Sequence, residues 1–175
     1  MHLGWEVFFD ITRYGHILSG ILWIGLLYSI NLVQVPSFAK MEPAARQNAI
    51  MILVPRMLMY FRYAALSTVV FGLAYIVGMA IDVGDGYWTT ARFYSILIGG
   101  TLGLIMAANV WFIIWPNQKK VIAATTATVK EGKPAPPDQP KWARATLVAS
   151  RSNVIMSIPM LFFMVGAIHL DSLWA

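Results

Sequence analysis

The sequence predicts an all-α protein, a four-helix transmembrane bundle with a short interfacial helix between helices 1 and 2. Apolar residues make up 58% of the chain and charged residues only 12%, whereas a soluble domain is nearer half apolar and a quarter charged. Four apolar stretches reach the roughly 20 residues that a helix needs to cross a bilayer. Seven Trp and seven Tyr suit the aromatic belts at the two membrane surfaces. We therefore expect residues 1–175 to form a single integral membrane domain.

The apolar stretches give the approximate bounds of the four predicted spans, and the segments between them differ in character. Pro43 to Val54 is amphipathic, which is typical of a helix lying in the membrane interface. The segment 82–88 is a compact polar turn. The third connection continues the preceding helix until a proline-rich break at 132–138, after which the chain leads helically into the last span. The spans cover approximately 12–35, 57–81, 92–115 and 151–170.

The distribution of charge predicts the orientation in the membrane. Positively charged connections stay cytoplasmic, so both termini are expected to be periplasmic in a bacterial inner membrane. The net charge of +5 then reflects orientation and contact with anionic lipid, and a nucleic-acid partner is not predicted. Eleven of the thirteen basic residues lie in the first and third connections: Lys40, Arg46, Arg56, Arg62, Lys119, Lys120, Lys130, Lys133, Lys141, Arg144 and Arg151.

Two histidines are the candidate metal ligands. His16 lies about one turn inside the first apolar helix, and His169 lies at the end of the fourth. The predicted topology puts both in the outer half of the bilayer, where two neutral imidazoles from facing helices can hold one haem b. For each histidine the alternative is a purely structural role without a metal. His16 can bond to a neighbouring helix or to water, and His169 can be solvated at the membrane boundary.

Four further residues complete the candidate cofactor site. Gly20 and Trp23 follow His16 at helical spacing and share its stripe. A glycine beside a ligand lets a flat group approach the backbone, although Gly20 also suits close helix packing. Arg13 and Arg92 are the basic residues on the outer side, placed to neutralise haem propionates.

Polar residues inside the apolar helices form a second candidate group. Asn109 in the third span needs a partner, for which Asn31 and Gln34 at the inner end of the first helix are candidates. Asn153 in the fourth span is a further candidate member. Such a cluster is either a quinone or substrate site or the polar contact that holds the helices together.

Other kinds of active site are not indicated. The chain has no phosphate-binding glycine loop, HExxH motif, nucleophile elbow or paired intramembrane carboxylates. It also has no cysteine, which excludes disulfides, iron–sulfur clusters and covalently attached c-type haem within it. The classes of function that remain are redox chemistry, ligand binding and a scaffold role.

Three blocks of sequence resemble the membrane domain of the bacterial cytochrome c-linked urate oxidase (urate hydroxylase) family. The resemblance implies a redox-linked membrane bundle in which His16 is the best-matched position and His169 a looser match. Members of that family often carry a cytochrome c. The blocks are His16-x6-Trp23-Ile24-Gly25-x2-Tyr28; Met106-Ala107-Ala108-Asn109-Val110 followed by Pro116-Asn117-Gln118-Lys119-Lys120; and Arg151-Ser152-Asn153 with Pro159-x2-Phe162.

The first block is also similar to the start of the small membrane protoporphyrinogen oxidases, which bind haem b. From the candidate site residues and these resemblances we predict a haem b-binding membrane subunit that transfers electrons in a larger redox or respiratory complex. Its expected partners are other membrane subunits, a periplasmic cytochrome c and the lipid bilayer. The alternatives are a haem-free accessory or assembly subunit of a membrane bioenergetic complex, and a urate-oxidase-like membrane oxidoreductase.

Overall fold

A computed structural model describes residues 3–169 as four long helical rods joined by short connections. Each rod is long and apolar enough to cross a membrane, which confirms the predicted all-α, four-span fold. Within these residues no β-strand is present. We call the rods span 1 (Gly4–Lys40), span 2 (Pro43–Val83), span 3 (Ala91–Glu131) and span 4 (Gln139–His169).

The rods consist of six α-helices and two wider, π-helical segments, and one tighter 3₁₀ turn joins two of the rods. Span 1 comprises α1 and α2, span 2 is α3, span 3 comprises α4 and α5, and span 4 is α6. A 3₁₀ turn, Asp85–Thr89, leads from α3 to α4. The helices are α1 (Leu3–Tyr28), α2 (Val35–Lys40), α3 (Pro43–Val83), α4 (Ala91–Ala108), α5 (Trp115–Glu131) and α6 (Gln139–His169), with π-helical segments Ser29–Gln34 and Asn109–Ile114 inside spans 1 and 3.

Two of the rods are much longer than a bilayer is thick. Spans 2 and 3 each have 41 residues, or about 60 Å at 1.5 Å per residue, against a hydrocarbon core of about 30 Å. The segment Pro43 to Val54, predicted as a separate interfacial helix, is instead the beginning of α3. Pro43 lies in its first turn, where a proline is tolerated because it removes no helical hydrogen bond. Pro55 follows without interrupting the helix.

The helices pack as two pairs. The most extensive contacts join α1 to α3 and α4 to α6, and α5 with the second π segment connects the pairs by packing on α3 and α6. We call the end where α1 begins and α6 ends the terminal end, and the opposite one the basic end, after its lysines and arginines. The largest fully buried side chains of the core include Trp23, Leu27, Phe61, Met106, Val110 and Asn153.

The two π segments have the same cause. Each ends two residues before a proline, Pro36 or Pro116. A proline has no N–H to donate, and its ring clashes with the carbonyl four residues earlier. In both places the residue before the proline donates to the carbonyl five residues back, from Val35 to Ile30 and from Trp115 to Val110. The wider turn accommodates the ring and keeps the rod continuous.

Polar side chains connect span 4 to spans 1 and 3 inside the apolar core. Asn109 Nδ2 donates to Asn153 Oδ1 at 2.8 Å, so Asn153 is the partner that Asn109 needs. Asn153 Nδ2 in turn donates to the Met106 carbonyl at 3.1 Å. Asn31 bonds elsewhere, to Ser150 Oγ at 2.8 Å. Asn153 is fully buried, and a buried amide is stable in this position only because both of its ends are bonded.

The amide of Asn153 gives a test of this packing. We expect Asn153→Leu, which keeps the branched shape of the side chain and removes its polar atoms, to lower the free energy of unfolding by about 1–2 kcal/mol, because Asn109 loses its acceptor. Thermal unfolding in detergent micelles, followed by circular dichroism, measures the change. Thr101→Val is the matched control, since the Thr101 hydroxyl is exposed and bonds only within its own helix, to Leu97. Equal melting temperatures for the two variants would contradict the assignment.

Candidate functional site

His16 is held between α1 and α3 by its imidazole. Its Nδ1 lies 2.8 Å from the carbonyl oxygen of Thr68. A carbonyl only accepts, so Nδ1 carries the hydrogen and donates it. In the neutral imidazole the lone pair then belongs to Nε2. This bond is the contact with a neighbouring helix that a purely structural role of His16 requires. It is also the contact by which a metal-ligating histidine is usually oriented.

The imidazole fits against α3 because residue 72 is a glycine. A Cβ built on Gly72 would lie 2.8 Å from His16 Nδ1 and 3.0 Å from Cε1, closer than carbon atoms approach. The reverse arrangement occurs next to it, where the ring of Phe71 lies 2.9 Å from a Cβ built on Gly15. Each helix therefore supplies a glycine where the other supplies a ring. His16 and Gly72 form a matched pair.

Two arginines converge one helical turn closer to the terminal end. Arg13 Nη2 from α1 and Arg92 Nη2 from α4 each donate to the Tyr75 hydroxyl at 3.0 Å. The guanidinium of Arg13 also stands 5.3 Å from the centre of the Tyr75 ring. Within residues 3–169 the ion pair found is Lys133 with Glu131, so neither arginine has a carboxylate partner there. Two positive charges share one neutral oxygen.

The 3₁₀ turn contributes Tyr87 to this cluster. Tyr87 is buried, and burial raises the pKa of its hydroxyl; the neighbouring Tyr75 adds to the rise, and Arg92 opposes it. In the part of the chain that is described, the Tyr87 hydroxyl and Arg92 Nε are buried without a hydrogen-bond partner. The cluster thus has more donors and positive charge than the protein's own acceptors satisfy, which favours an anionic ligand.

The remaining predicted site residues are divided between core and surface. Gly20 and Trp23 follow His16 on the face of α1 that turns inward. A Cβ on Gly20 would touch Thr68 Cγ2 at 3.8 Å, an ordinary contact. Trp23 is 2% exposed, and its indole Nε1 is buried with no partner among the described residues. Gly20 therefore faces α3 at Thr68, with room for a Cβ between them.

His169 lies apart from this group. It is exposed and is the last described residue of α6. Phe163, six residues earlier, accepts the Ser95 hydroxyl at 2.7 Å, so His169 stands about 9 Å further along the helix, level with the start of α4. The structure brings Arg13 and Arg92 together at Tyr75, one helical turn from His16. That His169 also serves as a ligand stays a prediction.

Sequence reasoning missed Thr68, Gly72 and Tyr75, the residues of α3 that hold the site. A carbonyl acceptor leaves no signal in the sequence. Gly72 does leave one, because a glycine in a helix interior costs about 1 kcal/mol relative to alanine and so marks a close approach. Tyr75 follows Gly72 by one turn, and that spacing mirrors the one from Arg13 to His16.

The donor set suits haem better than a cluster of ligands around a bare metal ion. Within residues 3–169 no three His, Asp or Glu side chains come together as such a site needs. Haem requires one protein ligand on an axial face and neutralisation of its two propionates. His16 with an unprotonated Nε2 meets the first requirement, and Arg13 with Arg92 meets the second. These residues fit haem b.

A comparison with family models gives one match. The model described as "Urate oxidase N-terminal" covers residues 2–175. No curated protein and no solved structure matches the chain.

The pairing of His16 with Gly72 can be tested by adding one methyl group. We expect Gly72→Ala to lower stability by about 1–3 kcal/mol, because the new Cβ forces the imidazole away from Thr68. Thermal unfolding in micelles measures this, and the nitrogen chemical shifts of His16 report whether Nδ1 keeps its hydrogen. Gly103→Ala is the control, since nothing lies within 4 Å of a Cβ there. The pairing is wrong if both alanine variants behave alike.

Proposed function

This chain belongs to the urate oxidase N-terminal family, and on that premise we propose that it is a membrane oxidoreductase subunit that binds one haem b. In this proposal it transfers electrons within a larger redox or respiratory complex. Four apolar helices are compatible with a multi-pass membrane protein. We place it in a bacterial inner membrane with both termini periplasmic, as the distribution of basic residues predicts.

One observation carries the proposal, the hydrogen bond from His16 Nδ1 to the Thr68 carbonyl. It leaves Nε2 as the atom that can ligate iron, fixes the plane of the ring and makes the imidazole a stronger donor. Gly72 supplies the space that the ring needs in this orientation.

The two arginines have a separate role. Arg13 and Arg92 would pair with the propionates, and the Tyr75 hydroxyl, which accepts from both, keeps them at the terminal end. Their charge would also favour the reduced state of the iron, whose net charge is lower by one. His169 would be the second residue to hold the group, and this role rests on the sequence alone.

Haem b, when bound, supplies one-electron transfer between the ferrous and ferric states. His16 would hold the group at a fixed depth, and Arg13 with Arg92 would hold its propionates. The partners would be other membrane subunits and a periplasmic cytochrome c. The proposal places the site on the periplasmic side of the membrane, where such a cytochrome would reach it.

A reduced-minus-oxidised absorption spectrum of the purified chain tests the proposal. We expect Soret and α bands in the unaltered protein and their loss in His16→Gly, with recovery when free imidazole fills the space left by the ring. His169→Ala is expected to change the bands from low-spin to high-spin if His169 is the second ligand. Melting temperatures establish that each variant is folded. An unaltered protein that shows no bands after expression with ample haem would overturn the proposal.

The arginines call for a different measurement. We expect Arg92→Gln to retain the haem but to lower its midpoint potential, because one positive charge near the iron is lost. Redox titration of the α band measures the shift. Lys133→Gln is the control, since Lys133 lies in the opposite, basic end and pairs with Glu131. An equal potential in Arg92→Gln and the unaltered protein would separate the arginines from the cofactor.

The cationic cluster also supports a second candidate, a urate-oxidase-like enzyme. Urate is an anion at neutral pH, and Arg13, Arg92 and the unpartnered Tyr87 hydroxyl offer donors to one. Oxidation of urate by the purified chain with a soluble cytochrome as acceptor would favour this function. A folded protein with neither bands nor turnover would be the haem-free accessory subunit.

A further inference from the structure

We infer that the basic end of the bundle holds a binding site for the neutral head of a quinone. A cavity of about 250 Å³ lies there between all four spans. Gln34 from span 1, Phe61 from span 2, Ile114 from span 3 and Thr146 from span 4 all line it. Gln34 is 18 residues further along span 1 than His16, a distance of about 27 Å in a helix. The cavity is therefore separate from the site at the terminal end.

Two polar atoms in the wall of this cavity have no partner. Gln34 Oε1 and Thr146 Oγ1 are buried and make no hydrogen bond to any described residue. Leaving such an atom unpaired away from water is unfavourable, so it usually has a bound partner. Ser150 also lines the cavity, but its hydroxyl already accepts from Asn31. The cavity thus offers an amide oxygen and a hydroxyl to a molecule with hydrogen-bonding groups of its own.

The composition of the wall restricts what that molecule is. None of the residues that line the cavity is charged. A carboxylate or phosphate entering it would lose its water without gaining a cation, which excludes fatty acids and phospholipid headgroups. Phe38 and Phe61 provide aromatic faces, against which a flat ring packs well. A neutral ring with oxygen substituents remains, and quinones are the members of that class dissolved in membranes.

The size agrees with this assignment. Pockets that enclose a whole drug-sized molecule have about 300–1,000 Å³, so 250 Å³ accommodates a substituted ring and little more. The hydrocarbon tail of a quinone would leave through the opening of the cavity and lie in the lipid. Ala143, which is exposed, belongs to that rim.

The π segments determine which side chains of spans 1 and 3 reach this cavity. They lie on different spans, yet the last residue of each, Gln34 and Ile114, lines this one cavity. A π turn places the residues that follow it about 100° away from where an uninterrupted α-helix would. Because the turns accompany Pro36 and Pro116, the two prolines also set the orientation of this part of the wall.

Binding of a benzoquinone with a ten-carbon tail tests the inference. We expect saturable binding, one molecule per chain, when the full chain in detergent micelles is titrated in a calorimeter and the signal of empty micelles is subtracted. Gln34→Leu and Thr146→Val should each weaken binding about 3- to 10-fold, the effect of one neutral hydrogen bond. Ala143→Phe, at the rim, should abolish it by blocking entry.

Two controls keep the outcome interpretable. Thr101→Val makes the same substitution as Thr146→Val at an exposed position outside the cavity, and its affinity should equal that of the unaltered chain. The unaltered chain prepared without haem should also bind normally, so a failure of the haem proposal leaves this test unaffected. Absence of saturable binding, equal affinities in all variants, or loss of binding in the chain prepared without haem would each overturn the inference. Melting temperatures measured on the same samples show which variants are folded.

Discussion

The terminal end depends on one hydrogen bond, from the imidazole of His16 to the backbone of α3 at Thr68. In lipid no water is available to satisfy a polar ring, so the ring must find its partner on another helix. The acceptor is a carbonyl that also belongs to a helix, and the ring reaches it only because residue 72 has no side chain. This contact fixes the rotation and the register of α1 on α3. Given that register, Arg13 falls opposite Tyr75 and Gly15 opposite Phe71, and the site is assembled.

The two ends of the bundle have opposite chemical characters. At the terminal end an oriented imidazole lies below two arginines that share the Tyr75 hydroxyl, which suits a charged, iron-containing group. At the basic end the charges lie on the helices outside, whereas the cavity between the spans has a neutral wall with two unpaired polar atoms. The approximately 27 Å between His16 and Gln34 is comparable to the thickness of the hydrocarbon core. The two proposed ligands would therefore bind at opposite ends of the bundle.

The sequence was sufficient for the features that depend on composition and local spacing. Hydropathy predicted four spans, and the histidine block together with the two later blocks indicated the family that the whole chain matches. Partners across helices were not predictable, because Thr68 and Tyr75 acquire their roles only from the rotation of α3 against α1. The continuation of α3 through Pro43 was missed since an amphipathic segment looks the same whether it lies in the interface or extends a span. His169 was paired with His16 by topology alone, and the structure describes the chain no further than that residue.

Each π turn is equivalent to one extra residue in an otherwise regular helix, and this has a consequence for related sequences. Deleting a single residue from Ser29–Gln34 would restore ordinary helical geometry there, yet every side chain after it would then face a different neighbour. Pro36 would no longer have the wide turn that accommodates its ring. The number of residues between the glycines and the proline in spans 1 and 3 is therefore fixed, and the loss of even one residue would disturb the packing. Alignments of this family should show substitutions in these two stretches but not gaps.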